Sequence, residues 1–245
     1  GFFMGISTGA GVVIAQFFGA SNTCKMKRAI HNSIALTLVM GVVLTIVGLL
    51  FNDPILKAIG VPSEVFSEAS TYLSIYFWSL IFVMVYNMGS GILRSVGDSK
   101  RPLYFLIFSS VVNIILDFLF VKYFHFGVAG AGYATLIAQA ISAIMVMYVL
   151  MKTEDDYKVV LKEIGFDKEI LLKIIKIGLP TGFQQSIVSL SNVIVQSYIN
   201  VYGASVIAGY SVTIKIDGFV NLPLQAFNMA ITTFVGQNIG AKQYD

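Results

Sequence analysis

Residues 14–20 read Ile-Ala-Gln-Phe-Phe-Gly-Ala, and residues 235–241 read Val-Gly-Gln-Asn-Ile-Gly-Ala. Gln16, Gly19 and Ala20 return as Gln237, Gly240 and Ala241 at a constant offset of 221 positions, with Ile14 and Ala15 matched by the similar Val235 and Gly236. An offset that large points to a duplicated domain, because solenoids and propellers repeat every 20 to 50 residues or so.

The sequence around the two motifs is built for lipid. Hydrophobic residues make up 56% and charged residues 12%, about half the charged share of an ordinary soluble domain. A single cysteine, Cys24, leaves no disulfide framework and no zinc spacing. The net charge of +3 is spread between apolar segments and forms no single basic face, so no nucleic acid partner is expected. Apolar sequence begins at once, with no charged n-region ahead of it, so the start reads as internal and the chain as a fragment of a longer protein.

Counted against the roughly 20 residues that a helix needs to cross a bilayer, seven spans are expected. They are Phe2 to Ala20, Ile30 to Phe51, Tyr72 to Leu93, Pro102 to Tyr123, Val128 to Met151, Gly178 to Val201, and a last run within Ile207 to Ile239. That last run is too long for one perpendicular crossing, so it either projects from the bilayer or bends at Pro223. Of the 16 Lys and Arg residues, all but Lys57, Lys122 and Lys215 fall in the connections after the first, third, fifth and seventh spans. Those connections are cytoplasmic by the positive-inside rule, and Tyr72, Tyr76, Phe77 and Trp78 form an aromatic belt at the outer end of the third span.

Both Gln-x-x-Gly-Ala motifs therefore end a span on the cytoplasmic side. Six spans separate the two ends, an even number, so the copies cross the membrane in the same direction. Parallel repeats of six helices, related by an axis along the membrane normal, build one class of alternating-access transporter. Between the spans, Lys152 to Ile177 is the one long polar stretch. Ile170, Leu171, Ile174 and Ile175 recur at helical spacing among Lys168, Lys173 and Lys176, which predicts an amphipathic helix on the cytoplasmic surface over Asp167 to Ile177.

Within Ser109 to Val121 the only charge is Asp117. An intramembrane carboxylate needs a partner, a hydrogen bond or a proton, and Asp117 lies about 9 Å below the outer surface at 1.5 Å per residue. Asn113, one turn earlier, shares its helix face and is placed to donate an amide hydrogen to it. Thr135 in the next span reaches a similar depth, about 12 Å. Ionised, such a cluster offers hard oxygen ligands to Na⁺; since burial favours the neutral form of a carboxyl, it equally offers a place for H⁺. A purely structural hydrogen bond between helices is the plainer use of the same three residues.

Other features read structurally. Lys215 and Asp217 are two positions apart and so on different faces, and they are expected as anchors at the outer interface. His31, beside the first basic connection, and His125, in an outer loop, are expected to be solvated. The stripe Gly1, Gly5, Gly9 and the trio Gly127, Gly130, Gly132 are expected to serve close helix packing.

These residues carry a resemblance. The segments Val13 to Ala20, Gly91 to Asp98, Asn113 to Asp117, Gly127 to Thr135, Gly178 to Pro180 and Phe234 to Ala241 together resemble the multidrug and toxic compound extrusion (MATE) family, in its prokaryotic form, over essentially the whole chain. The resemblance implies an all-α membrane protein of twelve helices in two six-helix lobes, of which this chain would supply helices two to eight. Residues 1–151 would then belong to the N-terminal lobe, 152–177 to a cytoplasmic linker, and 178–245 to the start of the C-terminal lobe. It also implies an antiporter in the cell membrane, monomeric at full length, that exports cationic or amphipathic organic compounds as H⁺ or Na⁺ enters. Asn113, Asp117 and Thr135 fall where that family places the cation-coupling cluster of its first lobe.

The resemblance calls for no cofactor beyond the coupling ion. The acid that some members carry in the seventh helix has no counterpart in Gly182 to Ser197. Two alternatives stay open: a lipid-linked oligosaccharide flippase, although the spans hold almost no basic residues for a pyrophosphate, and a seven-helix retinal or receptor protein, against which the repeat argues. No nucleophile with a partner base, metal constellation or phosphate loop points to an enzyme.

Overall fold

The computed structural model describes residues 2–200 and 204–243. Gly1, residues 201–203, Tyr244 and Asp245 lie outside them, and with them the first glycine of the expected stripe and the end of the sixth expected span at Val201.

The described residues form eight α-helices and no strand: α1 (Phe2–Gly19), α2 (Thr23–Leu50), α3 (Asn52–Ile59), α4 (Ser63–Ser95), α5 (Lys100–Phe118), α6 (Gly127–Lys152), α7 (Lys168–Asn200) and α8 (Ala204–Gly240). A π-helical segment, Leu119–Tyr123, extends α5, and a short 3₁₀ turn, Leu161–Glu163, interrupts the linker. Five helices are long and apolar enough to cross a membrane: α1, α2, α4, α5 with its extension, and α6. The sixth and seventh expected spans are α7 and α8, which carry more polar residues, among them Gln184, Gln185, Asn192 and Gln196 on α7.

The helix ends follow local chemistry. Asn22 caps α2 by accepting the Lys25 N–H at 3.1 Å. Gly60, at φ 79°, closes α3 in the left-handed conformation that glycine adopts without penalty. Asp167 caps α7 by accepting the N–H groups of Glu169 and Ile170 at 3.0 and 3.2 Å.

Three expectations are corrected. The amphipathic stretch Asp167 to Ile177 is not a separate surface helix; it is the first three turns of α7, which runs on through Pro180, and Ile170 and Ile174 are buried in the core. The third span begins nine residues earlier than expected, at Ser63, because α3 packs against α4 and Asn52 Nδ2 bonds Ser70 O at 2.9 Å and Ser74 Oγ at 2.7 Å. His31 is not solvated: it is 3% exposed and held by the linker.

The core sits at one end of the bundle. Val13, Ile14, Met26, Ile30, Leu93, Leu150 and Ile174 are all buried there, and each lies near the cytoplasmic end of its helix. The ends of α1, α4 and α6 and the starts of α2 and α7 thus converge at the end that the Lys and Arg distribution assigns to the cytoplasm. α1 is the hub, packed against α2, α4, α7 and α8. Its contact with α7 is backbone on backbone: a side-chain carbon at Gly5 would overlap Gly182, and one at Gly9 would overlap Gly178. That is the close approach that small residues permit between membrane helices.

Candidate functional site

Asn113 and Asp117 lie one turn apart on α5, and Thr135 lies on α6, its packed neighbour. At the start of α5, Asp98 accepts the Arg101 N–H at 3.1 Å and pairs with the Arg101 side chain at 3.3 Å, ahead of Pro102 in the first turn. At its far end the i→i−4 ladder gives way to the π segment directly after Asp117 and Phe118. π-helical turns are rare and are found frequently at functional sites. Three phenylalanines, Phe120, Phe124 and Phe126, cluster at centroid distances of 5.7–6.1 Å over the outer end of the α5–α6 hairpin.

The expected amide bond from Asn113 to Asp117 is absent. Asp117 Oδ1 and Asn113 Nδ2 are both shut away from solvent, and neither has a hydrogen-bond partner. Thr135 donates its hydroxyl to Ala131 O, one turn back on its own helix, at 3.0 Å; its oxygen lone pairs remain as acceptors. An unsatisfied buried polar group costs on the order of 1–3 kcal/mol, more for a charged one, so two such atoms one helical turn apart call for a physical reason. Turning the Asn113 amide about its last torsion exchanges donor for acceptor, which would put an amide oxygen one helical turn from the Asp117 carboxylate. That oxygen set suits a proton or a small hard cation.

The two copies of the opening motif meet at the cytoplasmic end. A side-chain carbon at Gly19 would overlap the carbonyl of Gln237, and one at Gly240 would overlap that of Gln16. Gln237 Nε2 also donates to Ser95 O at 2.8 Å, tying α8 to the end of α4. Ser95 Oγ in turn donates to Gly11 O on α1 at 2.9 Å.

His31 marks a site whose role the sequence did not reveal. The Val160 N–H donates to its Nε2 at 2.9 Å, which leaves Nδ1 as the protonated nitrogen, donating to Lys27 O at 2.7 Å. Glu163 stands 3.8 Å from the same Nε2. Lys27 with Asp156 and Arg28 with Asp167 add exposed pairs at 3.5 and 3.6 Å, which contribute little beside the buried bond. The linker is thereby pinned to the start of α2 across 129 positions of sequence. No spacing rule foretells a backbone donor that distant.

Comparison with known proteins sets this geometry in context. A protein-family model described as MatE matches residues 1–119 and 180–245. The probable multidrug resistance protein YoeA of Bacillus subtilis (strain 168) is 33% identical over 251 residues, covering 100% of this chain and 54% of its own length. The outward-facing structure of a multidrug resistance MATE family transporter of the MOP superfamily superposes with a TM-score of 0.90 at 26% identity, over 99% of this chain and 54% of that one. An inward-facing structure of such a transporter gives 0.79 at 25% identity, over 96% and 58%. The chain spans about half the length of the relatives it matches.

Proposed function

The chain belongs to the MatE family, and on that premise we propose that the whole protein, a multi-pass protein of the cell membrane, is a secondary active antiporter. It exports cationic or amphipathic organic compounds in exchange for H⁺ or Na⁺. The observation that carries the reading is the pair of orphaned buried atoms, Asp117 Oδ1 and Asn113 Nδ2, at the outer end of a membrane helix.

In this reading the coupling ion enters from outside and binds between α5 and α6, satisfying the Asp117 oxygen. Asn113, with its amide turned, and Thr135, through its free lone pairs, complete the shell. Residues 1–151 supply the coupling lobe, and 178–245 open the second lobe. An ion changes a conformational equilibrium only by its differential affinity for the two states. The π segment beside Asp117 supplies a state-dependent element, since a π turn returns to an α turn by shifting one register of hydrogen bonds.

The superposition on the outward-facing transporter, tighter than that on the inward-facing one, supports a cytoplasmic side that is shut while the cluster faces outward. The test is efflux of a fluorescent organic cation from proteoliposomes holding the full-length protein, with Na⁺ and pH gradients imposed separately. One gradient should drive efflux in the wild type and fail in Asp117→Asn; efflux driven equally well in both would defeat the assignment.

A further inference from the structure

His31 is a titratable side chain buried at the end of the bundle away from the α5–α6 cluster, which makes no use of it. Its two ring nitrogens hold different elements. Nδ1 donates to Lys27 O within α2 at 2.7 Å, and a carbonyl oxygen only accepts, so the proton of the neutral ring sits on Nδ1. Nε2 is therefore bare, and it accepts the Val160 N–H of the linker at 2.9 Å. That second bond exists only while the ring is neutral, because a histidinium donates at both nitrogens. Histidine is the side chain whose charge ordinarily changes between about pH 5 and 8.

The surroundings supply the other half of a switch. A Glu163 carboxylate oxygen stands 3.8 Å from Nε2, on a largely exposed side chain, just outside hydrogen-bond reach. Protonation of Nε2 sets two N–H groups against each other and offers Glu163 a charge-assisted bond. The other charged groups around the ring are already matched: Lys27 with Asp156 of the linker, Arg28 with Asp167 at the head of α7, and Lys173 with Glu169 on α7 itself. α1, packed beside α2, carries no charged residue. α4 meets α2 where Ile81 and Phe77 face Gly41 and Thr45, about three turns beyond His31. With Cys24, Glu163 and Phe166 the ring lines a cavity of about 490 Å³, which gives protons a way in.

Val160 and Glu163 are the ends of one 3₁₀ turn, the Glu163 N–H donating to Val160 O at 2.9 Å. A small rotation of that turn exchanges one for the other at the ring. Val159, the preceding residue, is buried in the core and its N–H donates to Leu150 O at 2.8 Å, so a hold on Val160 is also a hold on that plug. Farther along, Asn32 Nδ2 donates to Asp167 O at 2.7 Å, a tie between groups that do not titrate.

We propose that His31 is a pH-operated latch on the linker between α6 and α7. Neutral, it holds Val160; protonated, it gives up Val160 and holds Glu163. Acid on the cytoplasmic side thereby loosens residues 158–163 while the head of α7 stays fixed.

Hydrogen–deuterium exchange of the full-length protein in lipid nanodiscs tests the latch, read as protection relative to the unfolded chain at the same pH so that the intrinsic rate drops out. Protection over residues 158–163 should fall about tenfold or more between about pH 8 and 5.5, while Glu169 to Lys173 keep theirs. His31→Gln offers an acceptor that never takes up a proton and should hold residues 158–163 equally at both pH values. Wild-type protection independent of pH, or a fall in His31→Gln as large as in the wild type, overturns the latch. If His31→Gln is unprotected at both pH values, Glu163→Gln decides in its place, since the protonated ring then lacks its carboxylate. Release that needs a lower pH supports the latch, and release at the wild-type pH overturns it. No ion gradient or cargo enters this measurement, so its outcome is independent of the Asp117 reading.

Discussion

Gly19 rests against the backbone carbonyl of Gln237, and Gly240, its equivalent 221 positions later, rests against the backbone carbonyl of Gln16. The reciprocity extends to the turns that follow. Ala20, Ser21 and Asn22 donate to Gln16, Phe18 and Phe17, and Ala241, Lys242 and Gln243 donate to Gln237, Ile239 and Asn238, all at 2.9–3.1 Å. Ser21 and Lys242 both take left-handed backbone, at φ 51° and 58°. Ala15 faces its own equivalent, since a carbon at Gly236 would lie 3.1 Å from Ala15 Cβ. A pseudo-two-fold axis therefore passes between α1 and α8 at their cytoplasmic ends, and a contact on that axis is where a hinge between two like lobes would close.

A β-branched side chain at either glycine forces the two backbones apart. Gly19→Val and Gly240→Val are each expected to destabilise the closed arrangement by about 1–3 kcal/mol, the usual effect of overpacking. In the full-length protein this should appear as faster maleimide labelling of an Ala15→Cys reporter, which is 1% exposed as alanine. Labelling as slow as in the glycine parent would show that the contact does not hold the cytoplasmic side shut.

Gln237→Ala removes the bond to Ser95 O without adding bulk. It is expected to cost about 0.5–1.5 kcal/mol, seen as a modest fall in thermal midpoint. Gln237→Glu, which keeps the size but loses the donor, should fall by a similar amount; a Glu variant as stable as the wild type would show that packing, not the hydrogen bond, matters there.

His31→Ala leaves the Val160 N–H without its acceptor, at a cost of about 1–3 kcal/mol, and should release the linker before the core. Limited trypsin digestion at Lys158 and Lys162, both exposed, should quicken several-fold at temperatures where the helices persist. Digestion at the wild-type rate would mean that the surface ion pairs alone retain the linker.

The spans were legible because hydropathy over twenty residues is a strong signal, and the duplication was legible because Gln16, Gly19 and Ala20 recur unchanged. What escaped the sequence depended on contacts between distant positions. Pro180 punctuates the chain and yet lies inside α7, and α3 with the early start of α4 depends on Asn52 meeting Ser70 and Ser74. His31 beside basic residues reads as solvated until Val160 is found against it. Asp117 stood out as a lone charge, but its partnerless oxygen was hidden, since helical spacing alone makes Asn113 its natural donor.

Asn113→Leu gives the cluster a test with an unusual sign. Removing an unsatisfied buried amide should stabilise the ion-free protein, by about 1–3 kcal/mol at most, while abolishing any further rise in thermal midpoint on adding Na⁺ or acid. A variant less stable than the wild type that still responds to the ion would place the ion elsewhere.

The central claim is that Asp117 binds the coupling ion and does not merely support the fold. The most direct measurement compares ion-driven accumulation with gradient-free substrate exchange in the same proteoliposomes, for full-length wild type and Asp117→Asn. Asp117→Asn is expected to lose ion-driven accumulation by about tenfold or more, the equivalent of at least 1.4 kcal/mol of coupling, and to keep exchange near the wild-type rate. Accumulation at the wild-type level in Asp117→Asn would contradict the claim.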